Sequence, residues 1–402
     1  MLLRVLKSNN YISVAELRFM KIISRLVCLS MAAMCILCIN GCSDDKESLD
    51  FTDNPATLLK NDAQRKSIRS IWNVVDGKMY HMDYQSDYML DLLLNDGCKS
   101  SADLVRFLYV NMLNIKAAAA QHFDFGCSAF VAKTPEGDII CGRNFDYRFA
   151  SASNVFVDNH PTDGKSVHSL GIAAMPFLDD KTYVAGALSN GTTDISAALA
   201  AIYCTMDGMN ENGVFIGVLS LNGGGAKQHD PNKKDLVTSV LIRTVLDRAA
   251  SVDEALDIFR SYNYFADGED AVKSNHFLIA DKTGHCVVLE YILKDDPQNW
   301  EMNVIEGQDY VANMYFSPGQ AEGVGQWRLD LLKERLEQKN RILTEDDAMQ
   351  LLKDVHQTLD PEELTSNTQW SVVYNLTKGT ANLCVDKDYT RVYHFSLMDK
   401  QQ

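Results

Sequence analysis

Apolar residues along this chain come mostly in short runs bounded by turn residues. Ser128 to Ala132 is one run, Thr134-Pro135-Glu136-Gly137-Asp138 is a turn cluster, and Ile139 to Gly142 is a second run. That order predicts a strand, a turn and a strand folded back as a hairpin. Short strands and turns alternate on to residue 222. Asp207-Gly208-Met209-Asn210-Glu211-Asn212-Gly213 reads as a turn ahead of a strand at Val214 to Leu219. Phe277 to Ala280 and Val287 to Tyr291 flank the turn Asp281-Lys282-Thr283-Gly284 and predict another hairpin. Val372 to Leu376 and Asn382 to Val385, joined across Thr377-Lys378-Gly379, predict a third, and Arg391 to Leu397 a last strand.

Helical spacing holds elsewhere. Residues 61–120 read as helical throughout. Met89, Leu90, Leu92, Leu93 and Leu94 form an apolar cluster that ends at Asn95-Asp96-Gly97, a glycine stop. Ser101 to Ala120 follows with Leu104, Phe107, Leu108, Val110, Met112 and Leu113 inward, and leads into Gly126-Cys127. Asp235 to Ala250 reads as a helix, and Ser251-Val252-Asp253-Glu254 as the capping box of the next. Two more helices are predicted at about 325–337 and 345–358. Strand groups alternating with helix pairs give an α+β chain, with sheets covered by helices.

The front of the chain has a different character. Leu26 to Ile39 is apolar and uncharged, with Lys21 and Arg25 before it. It is short for a membrane span and reads as the core of a signal peptide over residues 1–41. Met20-Lys21 would open a signal peptide of ordinary length, so residues 1–19 read as a misassigned start; a plain transmembrane anchor is the other reading. The run ends Ile39-Asn40-Gly41-Cys42, which resembles a bacterial lipoprotein lipobox with Cys42 lipidated. Ser43-Asp44-Asp45-Lys46 resembles a surface-export signal. The expected place is the bacterial cell envelope, on the outer membrane, with residues 42–60 as anchor and tether.

The 402 residues, 46% hydrophobic, suffice for one large core or two domains. A net charge of −16 argues against nucleic acid, which needs clustered Lys and Arg. The histidines are scattered, and no C-x2-C pair in the body of the chain has a matching second pair. No metal and no cofactor are expected, and each histidine reads as a structural or surface residue. Cys98, Cys127, Cys141, Cys204, Cys286 and Cys384 are too sparse for a disulfide scaffold.

The chemistry concentrates at Cys127. The predicted hairpin brings Arg143 and Asp146 back beside it. A thiolate is the nucleophilic form of cysteine, and a guanidinium favours it. If Cys127 became the first residue of a chain, its α-amine, with a pKa of about 7.7–8.0, would be partly free base near neutrality. Such an amine relays the thiol proton without a histidine. On residue type alone, a cysteine after a glycine in an apolar strand is a small buried hydrophobe.

The spacing Cys–x15–Arg–x2–Asp changes that. Cys127-Ser128-Ala129-Phe130 with Gly142-Arg143-Asn144-Phe145-Asp146 resembles the nucleophile region of the choloylglycine hydrolase family. These are cysteine N-terminal-nucleophile amidases and include bile salt hydrolases, penicillin V acylases, acid ceramidase and N-acylethanolamine acid amidase. The resemblance runs from Cys127 to about Leu397. It implies an αββα sandwich over residues 127–402, preceded by a helical leader at 61–126, with Cys127 as nucleophile and Arg143 and Asp146 beside it. It also implies an oxyanion donor at Asn313, after Val311-Ala312, and a second active-site arginine at Arg328, where Gly325-Gln326-Trp327 opens a helix. By type alone these two are a turn asparagine and a surface helix arginine. The Asn210-Glu211 turn has a family counterpart before a strand leading to an oxyanion donor. Ser220-Leu221-Asn222 stands where family members often have Asn-Phe-Pro.

The implied reaction has two stages. The Cys127 thiol attacks the Gly126 carbonyl and the chain cuts itself; Cys127 then attacks a substrate amide, a thioester forms, the amine leaves and water releases the acid. The implied partner is a small-molecule N-acyl amide. The leader resembles that of acid ceramidase and N-acylethanolamine acid amidase and favours a lipid amide, while the asparagine–glutamate turn looks more like the bile salt and penicillin V branch. Acyl transfer to another amine is one alternative. A catalytically inactive, amphiphile-binding surface lipoprotein is another. Oligomeric state is not legible.

Overall fold

The computed structural model describes residues 61–75, 77–112, 125–147, 154–175, 195–266, 273–294, 300–360, 362 and 366–398. The predicted signal peptide, Cys42 and the tether lie outside these, as does the predicted helix beyond Met112.

The leader is mixed rather than helical throughout. Helix α1 (Asp62–Arg69) is followed by strands β1 (Trp72–Val75) and β2 (Met79–Tyr84), then helices α2 (Leu90–Asp96) and α3 (Ser101–Asn111). The residues explain it: Trp72-Asn73-Val74-Val75 and Met79-Tyr80 are rich in aromatic and β-branched types, which suit a pleated surface. Met79, Tyr80, Met82 and Tyr84 are fully buried. Asn61 and Ser100 cap α1 and α3 by accepting from the Gln64 and Asp103 amides. Leu104, Phe107 and Leu108 of α3 turn inward, but Val110 is 61% exposed.

Strands β3 (Phe125–Lys133) and β4 (Ile139–Tyr147) form the predicted hairpin, with Cys127 opposite Phe145 and Gly126 opposite Asp146. The Gly126–Cys127 bond therefore lies inside a strand. β5 (Asn154–Asn159), β6 (Ser169–Ala174), a 3-10 helix (Ile195–Tyr203), β7 (Thr205–Asn210) and β8 (Val214–Leu221) follow. Asp207 thus stands on a strand, and the turn shrinks to Glu211-Asn212-Gly213, with Gly213 at φ +82°. β9 (Asp235–Val237) precedes α4 (Thr238–Arg248) because its three residues pair in parallel with β10 (Asn263–Phe265), which lies beyond α5 (Val252–Ser261). Ser251 caps α5 as predicted, accepting from the Glu254 amide, while the Glu254 carboxylate accepts from the Ala250 amide. The remaining elements are β11 (Ser274–Asp281), β12 (Cys286–Leu293), β13 (Trp300–Glu306), β14 (Tyr310–Val311), α6 (Gln326–Gln338), α7 (Glu345–Asp354), β15 (Thr368–Asn375), β16 (Thr380–Val385) and β17 (Tyr393–Ser396).

Among the described residues, one sheet has the order β1-β2-β5-β6-β7-β8-β11-β12-β13 and another β14-β3-β4-β15-β16-β17. β2 runs parallel to β5, so the leader supplies two strands of the first sheet. Helices α4 and α5 pack on the first sheet, and α6 and α7 on the second. The two sheets face each other, joined across the interior by Arg143 on β4 and Trp370 and Tyr374 on β15, all of which bond Asp207 on β7. The result is the αββα sandwich that the resemblance implied.

Candidate active site

Strand alternation sorts the hairpin residues. Cys127, Arg143 and Phe145 face the first sheet, and Asn144 and Asp146 face α6 and α7. Arg143 is fully buried. Its Nε donates to Asp207 Oδ2 at 3.3 Å and its Nη2 to the Val218 carbonyl at 2.5 Å, and its charge acts on the Cys127 thiol nearby. Asp207 accepts from Trp370 Nε1 at 3.1 Å and from the Tyr374 hydroxyl at 2.7 Å. A buried carboxylate with three donors is a fixed anion, and it fixes the arginine in turn.

On the opposite face Arg328 gathers the other expected residues. Its Nη1 donates to the Cys127 carbonyl at 2.7 Å and to Asp146 Oδ2 at 3.0 Å, and its Nη2 to Asn313 Oδ1 at 3.0 Å. Asn313 Oδ1 also accepts from the Cys127 amide at 2.8 Å, and its Nδ2 donates to the Ser220 carbonyl at 2.9 Å. Asp146 is completed by Gln357 Nε2 at 2.6 Å and Thr368 Oγ1 at 2.5 Å. Arg328 is therefore a buried connector, not a surface arginine. Gly325 makes room for it: at φ +86°, a Cβ there would lie 2.3 Å from Arg328 Nη2.

Burial dominates the electrostatics. It pushes the Cys127 thiol up to about 12, against the pull of Arg143 in the other direction. Burial also raises the Asp207 carboxyl, again opposed by Arg143. For Arg143, desolvation is outweighed by Cys127 and Asp207, and its pKa rises. Behind Asn313, burial lowers His276 although Glu290 Oε1 stands 3.7 Å away. Glu290 accepts from the Phe316 and Ser317 amides at 2.7 and 3.1 Å, which ties down the segment that follows Asn313.

Cys127, Asp146, Asn313 and Arg328 thus share one bonded cluster, with Gly126 opposite Asp146 and Arg143 acting on the Cys127 thiol from the other face. Residues 127–300 match the family model of linear amide C–N hydrolases, choloylglycine hydrolase family. Over this stretch the chain is similar to the choloylglycine hydrolase family. It is a hydrolase of carbon–nitrogen bonds in linear amides, bonds other than peptide bonds. The family stretch holds Cys127, Arg143, Asp146 and Asp207; Asn313 and Arg328 lie beyond it. Similar solved structures include a mutant conjugated bile acid hydrolase from Clostridium perfringens, at 16% identity over 69% of this chain and 93% of that one, with a TM-score of 0.46. A second variant of that enzyme gives 16%, 68%, 94% and 0.48. Penicillin V acylase from Agrobacterium tumefaciens gives 14%, 67%, 86% and 0.39. No curated protein matches the chain.

The choloylglycine hydrolase motif did not lead to Asp207, Ser220, Gln357 or Thr368. Asp207 had a signal: it is a carboxylate set directly at the end of the apolar stretch at 195–206. The Asp-Gly pair disguised it as a turn. The other three are ordinary polar residues whose role comes from pairing across the fold.

Proposed function

We propose that this amide hydrolase cuts itself between Gly126 and Cys127 and then works through a thioester on Cys127. The carrying observation is the hold on Cys127. Asn313 Oδ1 takes its nitrogen, Arg328 takes its carbonyl, and Arg143 faces its thiol. A carbonyl acceptor that holds a peptide N–H serves equally for the α-amine left by a cut. In the first stage the thiol adds to the Gly126 carbonyl carbon, the peptide bond breaks, and the Cys127 nitrogen keeps the thiol proton. Water then splits the thioester and frees Cys127. In the second stage the thiol gives its proton through the α-amine to the leaving amine of the substrate, and water releases the acid.

Arg143 stabilises the thiolate, and Asp207 positions Arg143. Asp146 and Arg328 hold each other and the nucleophile's backbone. Asn313 Nδ2 has a second proton beyond the one on Ser220 and serves as an oxyanion donor, a role that can contribute about 2.7–4 kcal/mol. We assign the substrate to N-acyl amides with a hydrophobic acyl group, supported by the long segment that precedes Cys127 as one does in lipid-amide hydrolases, and the location to the envelope through a lipid on Cys42. The test is intact-mass analysis with a matched panel: glycine- and taurine-conjugated bile acids, N-acylethanolamines, N-acyl amino acids and penicillin V. A fragment beginning at Cys127 and an uncut, inactive Cys127→Ala are expected. An active chain that stays uncut overturns the mechanism, and a preference for bile conjugates overturns only the lipid-amide assignment.

A further inference from the structure

A second cluster of chemistry-bearing side chains lies away from Cys127. Across the first sheet, Asp158 pairs with Leu170 and Leu170 with Met209, so Asp158 shares a face with Asp207 two strands over. Asp158 and His160 are two residues apart on and just after β5, and His168 comes immediately before β6. Asp158 Oδ1 is 2.5 Å from His168 Nε2 and 3.1 Å from His160 Nε2. The two imidazole rings lie 4.2 Å apart. On the parallel strand β2, Asp83 stands directly opposite Asp158. The candidate ligand atoms of Asp158, His160 and His168 all lie within 4.8 Å of one another, and those of His81, Asp83 and Asp158 form an overlapping group of the same size.

We infer that Asp158, His160 and His168, with Asp83 beside them, bind a divalent transition-metal ion of the zinc type. Two carboxylates opposite each other on one sheet face repel, and a cation between them removes the repulsion. Two imidazole nitrogens converging with a carboxylate oxygen give a mixed N/O donor set of the kind zinc takes, whereas calcium and magnesium favour all-oxygen shells. The ligands are held before any ion arrives. The His160 amide donates to the Tyr84 carbonyl at 2.8 Å, and His168 exchanges bonds with Glu211 at 2.8 and 3.1 Å. Their side chains keep 11–20% of their surface exposed, which leaves an ion a way in. Because Asp83 belongs to the leader and the other three to the following domain, the ion acts as a cross-strand clasp between them. The histidines are separated by seven residues and match no ligand motif; the sheet register assembles them.

The test uses the full chain carrying Cys127→Ala, freed of metal and titrated with zinc or cobalt ions. One ion per chain is expected, with cobalt giving visible absorption and zinc raising the melting temperature. His160→Ala and His168→Ala should each weaken binding by about tenfold or more. His168→Gln keeps a donor for Asp158 but is a poor ligand, so it should keep the fold, followed by circular dichroism, and lose the ion. Absence of binding, or binding undiminished in a folded His160→Ala/His168→Gln double variant, overturns the inference.

Discussion

Asp207→Asn is the sharpest perturbation of the site, because it removes a charge and keeps the shape. The Arg143–Asp207 separation is 3.3 Å with both side chains fully buried. At an effective dielectric of about 20 that attraction is roughly 5 kcal/mol. Part of it is offset because the carboxylate is no longer desolvated, and breaking one side of a buried pair costs about 3–5 kcal/mol. In a domain of this size each kcal/mol lowers the melting temperature by about 2–4 °C, so a fall on the order of 10 °C is expected. The assay is thermal unfolding in a Cys127→Ala background, which keeps every molecule uncut, together with amide hydrolysis in the otherwise native chain. Arg143→Met/Asp207→Leu should regain much of the stability, since it leaves no lone charge, yet stay inactive. Asp207→Asn that melts within about 1 kcal/mol of its parent and hydrolyses normally would refute the claim that this carboxylate holds Arg143.

Other outcomes follow from the same geometry. Since burial pushes the Cys127 thiol up to about 12, self-cleavage of refolded chain should speed up about tenfold per unit as pH rises from about 7 to 9, followed by gel densitometry; the raised pKa fixes the sign, and a flat profile would assign proton removal to a neighbouring base. After the cut the two pieces should co-elute on size exclusion, because β2 pairs with β5 over six residues and Tyr80, Met82 and Tyr84 are buried; an active fragment eluting without its leader would contradict this. Gly325→Ala should cost about 1–3 kcal/mol in a melt and slow hydrolysis, since its Cβ meets Arg328 Nη2 at 2.3 Å; unchanged values would mean that Arg328 has room. Cys42→Ser should move the protein out of the membrane fraction, and unaltered partitioning would remove Cys42 as the anchor.

What the sequence revealed follows the range of each interaction. The β3–β4 hairpin was legible because its alternation and turn are local, and its register alone carries Arg143 and Asp146 to Cys127. Asn313 and Arg328 bond Cys127 across separations of 186 and 201 residues, which no local pattern encodes, so only the family resemblance pointed to them. The leader strands β1 and β2 pair locally as an antiparallel hairpin and were overlooked beside the helical spacing around them. Only the second partner of β2, the parallel strand β5, lies beyond the whole β3–β4 hairpin, and parallel pairing has no turn to announce it. At Asp207 local chemistry misled: Asp-Gly is a strong turn signal, and tertiary pairing overrode it. The extra residues at the start of α4 show the same override, since Asp235-Leu236-Val237 extends to meet β10.

Cys98, Cys127, Cys141, Cys204, Cys286 and Cys384 are all buried and unbridged. To a water-soluble alkylating dye these six thiols of the described residues are therefore nearly silent while the uncut molecule stays folded, and any slow uptake of label at them times its breathing. Cys127 differs from the rest in standing at the bond proposed to break. Dye captured at Cys127 under native conditions thus becomes a census of processed molecules, and the other five of these thiols, released by denaturant, supply its internal standard.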